Sequence, residues 1–184
     1  MLAEHLGGHN GITHLDDGAL NWFKILGYKT FLDIGCGLGG MVQLAEQKGF
    51  IAYGIDGDYT VKRYDTNKFL IHDFTTGPVF FTKIFDIGWS VEFVEHVCEE
   101  FVPNYARAMQ HCKNLVMTYA PKGHGGHHHV NEQNEVYWIN KMAAFGFLHD
   151  KNLTKELRKV STMGTKKKHQ FVKRTGLFFI NEKI

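Results

Sequence analysis

The stretch TFLDIGCGLGGM, residues 30–41, constrains the fold more than any other part of the chain. A strand-like apolar run from Thr30 to Ile34 breaks into glycines and resumes as MVQLAEQKG, whose apolar spacing is helical and which Gly49 ends. A strand, a glycine turn and a helix in that order open a βαβ unit, and such units build parallel sheets through right-handed crossovers. The rest of the chain continues the alternation. IAYGID, KFLIHD, KIFDIGWS, NLVMTYA, FLHD and GLFFIN read as strands, while VEFVEHVCEEF, NYARAMQHC after Pro103 and EQNEVYWINKMAAFG carry helical spacing. The expectation is an α/β fold, a mostly parallel sheet with helices on both faces. With 184 residues, enough for one substantial core, the chain reads as a single domain over 1–184.

Composition narrows the setting. Hydrophobic residues make up 43% and charged residues 22%, as in ordinary globular proteins. No apolar run reaches the roughly 20 residues that span a bilayer, and the first residues lack a signal-peptide pattern, so a cytoplasmic protein without membrane contact is expected. Cys36, Cys98 and Cys112 show no C-x-x-C spacing, which argues against a disulfide framework or structural zinc. Charge is uneven. Residues 1–150 hold 11 Lys/Arg against 17 Asp/Glu, whereas residues 151–174 hold 9 Lys/Arg against Glu156 alone. This basic segment before the final strand either attracts phosphate, as in nucleic acid, or forms a solvated surface.

The glycine loop fits two cofactors. Gly35, Gly37 and Gly40 spell the G-x-G-x-x-G of a dinucleotide fold; Asp33, Gly35, Gly37 and Gly39 spell an acidic loop suited to S-adenosylmethionine. A pyrophosphate is best met by amide donors alone, so an acid two residues before the first glycine suits it poorly. An ammonium and a sulfonium suit it better. Asp56, closing the second strand, is placed to accept from ribose hydroxyls under either reading. Asp73 and Phe74, after the third strand, offer an acceptor and an apolar face for adenine.

LDIGCGLGG, GIDGD and FDIGWSVEFVEHV, in this order and spacing, resemble the class I S-adenosylmethionine-dependent methyltransferases over about residues 28–148. With THLDDGALNWF before them and GGHHHVN after, the chain is similar to small stand-alone methyltransferases of bacteria and their phages, which would put it in the host cytoplasm if phage-encoded. The resemblance implies a Rossmann-like sheet of about seven strands, the last antiparallel, with residues 1–28 as an N-terminal cap segment and 151–174 as a basic insertion. It also implies cofactor contacts: Gly35, Cys36 and Gly37 through backbone, Asp33 near the positive end, Asp56 and Gly57 at the ribose, Asp73 and Phe74 at the adenine, Ser90 beside the sulfonium, and His14 from the cap.

Methyl transfer needs a positioned nucleophile and, for a hydroxyl, a base. Glu92, Glu95 and His96 sit at i, i+3 and i+4, one face of a helix if that segment is helical. His129, and next to it His128, could face them from the histidine loop, while His124 and His127 read as loop surface. Catalytic roles fall to His129, His128 and Glu92. Glu92, Glu95, His96 and His129 also resemble the E-x-x-E-H plus distant His pattern of small-RNA 2′-O-methyltransferases and ubiquinone-pathway O-methyltransferases, which implies a divalent ion, Mg²⁺, Mn²⁺, Zn²⁺ or Fe²⁺. No N-P-P-Y or D-P-P-Y follows the fourth strand, which speaks against amino methylation of planar nitrogens. A small-molecule or glycan hydroxyl is the expected acceptor. A nucleic-acid 2′-hydroxyl and a non-catalytic cofactor-binding subunit are the alternatives, and oligomeric state is not legible.

Overall fold

The computed structural model describes residues 2–9 and 11–184. Seven strands form one sheet: β1 (Thr30–Ile34), β2 (Ile51–Asp56), β3 (Phe69–Ile71), β4 (Phe85–Ser90), β5 (Cys112–Met117), β6 (Phe147–His149) and β7 (Leu177–Asn181). Their order across the sheet is β3-β2-β1-β4-β5-β7-β6. β1 to β5 are parallel, whereas β7 runs antiparallel to both β5 and β6. The expected mostly parallel sheet with an antiparallel final strand is therefore present.

Side chains alternate across the sheet with period two. Leu32, Ile34, Ile55, Leu115, Met117, Leu177 and Phe179 point into one core with α3 (Val102–Met109) and α4 (Glu135–Ala144), centred on Tyr105 and Trp138. Phe31, Ala52, Ile87, Trp89, Val116 and Phe178 point to the other face, under α1 (Asp17–Ile25), α2 (Gly40–Gln47), α5 (Lys151–Val160) and α6 (Phe171–Thr175). The central strands β1, β4, β5 and β7 are largely buried on both faces, which is why they read as near-continuous apolar runs.

Two segments differ from expectation. VEFVEHVCEEF is not a helix: only short 3₁₀ turns form, at Val94–His96 and Glu99–Phe101, and α3 begins at Val102 with Pro103 in its first turn. Glu92 has a φ of 54°, which a right-handed helix cannot contain. The one-face reading of Glu92, Glu95 and His96 is thus overturned. The basic segment, in turn, is more than solvated surface. α5 is capped by Asp150, buries Thr154 and Leu157, and Thr154 Oγ1 accepts from Phe178 N of β7 at 2.9 Å.

Asp16 ties the N-terminal helix to this segment. It is fully buried, caps α1 by accepting from Ala19 N, and also accepts from Ser161 Oγ and Thr162 N. Asp16→Ala removes a cap and strands two donors, so it should lower unfolding free energy by about 2–4 kcal/mol. A shift of the urea midpoint without a change of slope reads this out; an unshifted midpoint would contradict it.

Candidate functional site

At the carboxyl edge of the sheet, five segments enclose a cavity of about 330 Å³. Asp33, Gly35, Cys36 and Gly37 line it from the β1–α2 loop, Asp56 and Gly57 from the end of β2, and Val91, Glu92, Phe93 and His96 from the segment after β4. The N-terminal segment, including His14, and the stretch His169 to Phe171 close the remaining sides, with His127 and His129 at the rim. A second cavity of about 260 Å³ adjoins it, lined by Asp73, Phe74, Thr75, Cys98 and His128. The two share His5, Leu6, Gly57, Phe93, His96 and Val97.

The glycine loop owes its course to backbone freedom at two points. Gly35 has a φ of 81°, and a Cβ there would lie 2.3 Å from the Phe93 ring; Gly39 has a φ of 80°, and a Cβ there would lie 2.4 Å from Phe69. The loop amides already have acceptors. Gly35 N and Cys36 N donate to Ile55 O, Gly37 N to Asp56 Oδ2, and Gly39 N to Cys36 O. With these amides engaged inside the protein, the backbone contact to a ligand that the resemblance implies for Gly35, Cys36 and Gly37 is left to Cα and carbonyl surface.

The acids here sit in low dielectric. Asp33 is buried, and desolvation together with the Asp56 charge holds its carboxyl well above the usual range. Burial likewise holds the Cys36 thiol well above its usual value. Asp56 accepts from Gly37 N at 2.8 Å, Asp58 N at 2.8 Å and Arg63 Nη2 at 3.3 Å. With about four lone-pair positions on a carboxylate, it retains room for a further donor on Oδ2. Asp73 accepts from Thr75 N and Oγ1, and its other oxygen is 2.8 Å from His5 Nε2. Against the opposing effect of burial, His5 and Thr75 hold its carboxyl below the usual range.

After β4 the chain bends at Glu92, whose N–H donates to Thr118 Oγ1 at 2.9 Å. Non-glycine residues in left-handed backbone are uncommon and cluster at functional sites. Burial pushes the Glu92 carboxyl up to about 7, with the Glu95 and Thr118 side chains and the Arg174 charge pulling the other way. Glu95 is fully buried, and desolvation and the Glu92 charge hold it well above the carboxylate range. Burial and the neighbouring His129 push His96 down to about 4. The His96 and His129 rings meet edge to face at 4.9 Å. His129 Nδ1 is 2.9 Å from Glu132 Oε1, and Glu132 also accepts from Gly123 N and Gly125 N.

Most expected residues thus gather at one edge. Asp33, Gly35, Cys36, Gly37, Asp56, Gly57, His14, Glu92, His96 and His129 line the first cavity; Asp73 and Phe74 line the second. Ser90 does not reach the rim: it is fully buried, its Oγ has no partner among the described residues, and Val91 takes its place. His128, with a φ of 49°, turns into the second cavity, while His127 reaches the first. The metal quartet does not assemble as it stands: among the described residues no three His, Cys, Asp or Glu side chains are grouped to hold an ion. Glu95 lies below the cavity wall.

Several residues were missed. Glu132, three residues after His129, orients that ring. Arg63 holds Asp56 and the Gly37 carbonyl, the latter at 2.9 Å. His5, Leu6 and His9 cross the groove, His5 on Asp73, Leu6 against Gly57, and His9 on Asp58 at 3.0 Å. Only the i,i+3 spacing of His129 and Glu132 was a readable signal.

Comparison with known proteins agrees with this geometry. Residues 32–118 match a family model described as a methyltransferase domain. No curated protein sequence matches the chain. Among solved structures, the fold is similar to a TehB-like SAM-dependent methyltransferase from Corynebacterium glutamicum (TM-score 0.64, 14% identity, 90% of this chain and 88% of that one). It is also similar to the sugar N-methyltransferase KedS8 from Streptoalloteichus (TM-score 0.62, 10% identity, 90% and 87%). A third is magnesium protoporphyrin IX methyltransferase from Synechocystis with bound SAM (TM-score 0.56, 17% identity, 89% and 75%).

The Glu92 carboxyl sets a pH test. Its value of about 7 in the folded state lies above the ordinary 4.5, so the folded protein keeps this proton longer than the unfolded chain. The resulting stability is fully present below pH 4.5 and is lost as pH rises to about 7. Glu92→Gln keeps the neutral shape and escapes that loss. Its melting temperature relative to the native protein should climb between those pH values and then level off; a pH-independent difference would contradict the assignment.

Proposed function

We propose that this chain, of which residues 32–118 match a methyltransferase domain model, transfers a methyl group from S-adenosylmethionine to a hydroxyl, with Glu92 as the proton acceptor. One observation carries the choice of cofactor. The glycine loop presents a buried acid, Asp33, while the amides of Gly35, Cys36, Gly37 and Gly39 are already engaged, an arrangement suited to a cationic group and unsuited to a pyrophosphate. A cation at this end restores the ionised form of Asp33. Asp56 Oδ2 is available to a ribose hydroxyl, and Asp73 and the Phe74 ring to an adenine, once His5 leaves Asp73. When bound, S-adenosylmethionine supplies a methyl carbon activated by sulfonium.

An oxygen acceptor is supported by the proton acceptors at the same wall, which a hydroxyl needs on its way to becoming a nucleophile. Glu92, near 7, takes the hydroxyl proton at neutral pH. His129 stands at the rim with Nδ1 fixed by Glu132, leaving Nε2 as the ring nitrogen that can face a ligand. Trp89, Val91 and Phe93 keep that side of the cavity apolar. The acceptor is a small molecule or a sugar.

A divalent ion is the second reading, favoured by one observation: both oxygens of Glu95 and Nδ1 of His96 are buried without a partner among the described residues. Their spacing does not gather the four side chains around a point, so the metal-free path is the conclusion. Excess chelator should leave transfer unchanged. Loss of transfer on chelation, restored by added Mg²⁺ or Zn²⁺, would replace it.

Calorimetry with S-adenosylhomocysteine should show binding that Asp56→Ala weakens by about 1–3 kcal/mol, since a hydrogen bond to a charged acceptor is lost. NAD should not bind. Glu92→Gln should bind S-adenosylhomocysteine as well as the native protein does, yet transfer label from S-adenosylmethionine to a panel of phenols, hydroxy acids and sugars roughly 10²–10⁴-fold more slowly. NAD binding, or unaltered turnover in that variant, would overturn the respective assignment.

A further inference from the structure

The cavity lining holds two chemically different sets of residues. Asp33, Asp56 and Glu92 form an acidic set. His14, His169 and Phe171 form the other, a wall with ring centroids 5.7 Å apart for the two histidines and 4.7 Å for His14 and Phe171. This wall is built by the basic segment. His169 ends the turn Lys167–His169, Lys166 precedes it, and Lys173 and Arg174 follow Phe171 on α6.

Lys166, Lys167, Lys168, Lys173 and Arg174 are exposed, and among the described residues none forms an ion pair. Arg158 and Lys159 of the same segment, on α5, do have carboxylate partners. The unpaired charge therefore flanks both cavity-lining residues of the segment. It is felt inside the site, since the Arg174 charge favours the ionised form of Glu92. Burial, and His169 beside it, push His14 toward its neutral form. An anion lodged at this wall reverses that effect by offering both imidazoles a counter-charge.

We infer that the acceptor is a small acidic molecule whose carboxylate or phosphate is held at the His14–His169 wall beside the Lys166–Lys168 turn, while its hydroxyl faces Glu92. The inference rests on the methyl-transfer reading of the same cavity and adds the substrate's charge and orientation. Phe171, Trp89 and Val91 of the same lining offer apolar contact to the body of the molecule. A negative group held at the His14–His169 wall keeps the acceptor from entering reversed, because Asp33, Asp56 and Glu92 would repel it. Nucleic acid is the rival for the same charge. It would spread over α5 as well, through Lys151 and Lys155, and would depend steeply on salt.

The test is NMR titration of the isotopically labelled protein saturated with S-adenosylhomocysteine, following the His14 and His169 ring signals. Benzoate and phenyl phosphate serve as probes, benzamide as the uncharged control, and a 12-nucleotide single-stranded RNA as the rival. Benzoate or phenyl phosphate should shift both rings with on the order of tenfold or more greater affinity than benzamide, as charge-assisted bonds require; which of the two binds more tightly distinguishes carboxylate from phosphate. The variant K166E/K167E/K168E, altered only at exposed positions, should lose that preference while its S-adenosylhomocysteine affinity stays unchanged. Equal shifts by acid and amide, no shift by any probe, or a preference that survives in the variant would overturn the inference. So would an RNA that binds more tightly than both acids and perturbs Lys151 and Lys155. If S-adenosylhomocysteine itself fails to bind, the methyl-transfer reading falls; if it binds and the acids do not, only the acceptor assignment falls.

Discussion

The close approach of the β1–α2 loop to the segment after β4 is the constraint on which the site depends. Gly35 lies under the Phe93 ring with no room for a Cβ, and Phe93 in turn packs on Phe74 and Tyr105 and walls both cavities. A side chain at Gly35 would push Phe93 out, and the adjoining bend at Glu92 would have to move with it. Parallel pairing of β1 between β2 and β4 holds the two loops at this distance, with Asp33 opposite both Gly54 and Trp89. The glycine loop and the bend at Glu92 are therefore one mechanical unit.

Electrostatics gives that unit its chemistry. Asp33, Glu92 and Glu95 are acids removed from water, and each is held toward its neutral form by desolvation, with a neighbouring acid adding to it at Asp33 and Glu95. Asp56 and Asp73 sit at the same edge, but with hydrogen-bond donors already in place. Arg63 is paired with Asp56 inside this cluster, whereas the Lys166–Arg174 side carries five exposed cations without ion pairs among the described residues. On the proposed function such polarity orients a bound pair of reactants before any bond changes.

Much of this was legible in the sequence because the strands are buried on both faces, so β1, β2, β4, β5 and β7 announce themselves as apolar runs, and because glycines mark the turn that follows β1. Asp56 and Asp73 lie at the edge as expected, since one closes and the other follows a strand whose position in a parallel sheet is fixed by topology, and Asp33 lies one residue before the end of β1. The segment after β4 misled for a physical reason. Its i, i+3, i+4 spacing is helical, but local spacing does not reveal that Glu92 adopts a positive φ and that Pro103 delays the helix. Likewise nothing local shows that His5 and His9 fold back over 68 and 49 residues to meet Asp73 and Asp58. Tertiary contacts of that kind belong to the fold, not to a motif.

On the proposed function the groove along Asp33, Asp56 and Asp73 holds an adenosyl cofactor, with the N-terminal segment yielding to it. The most direct measurement is a crystal structure of the S-adenosylhomocysteine complex. The ribose is expected on Asp56, the adenine beside Phe74 with Asp73 released by His5, and the amino-acid end next to Asp33. A ligand bound elsewhere, or one seated in the groove with its adenine away from Phe74 and His5 still on Asp73, would contradict it.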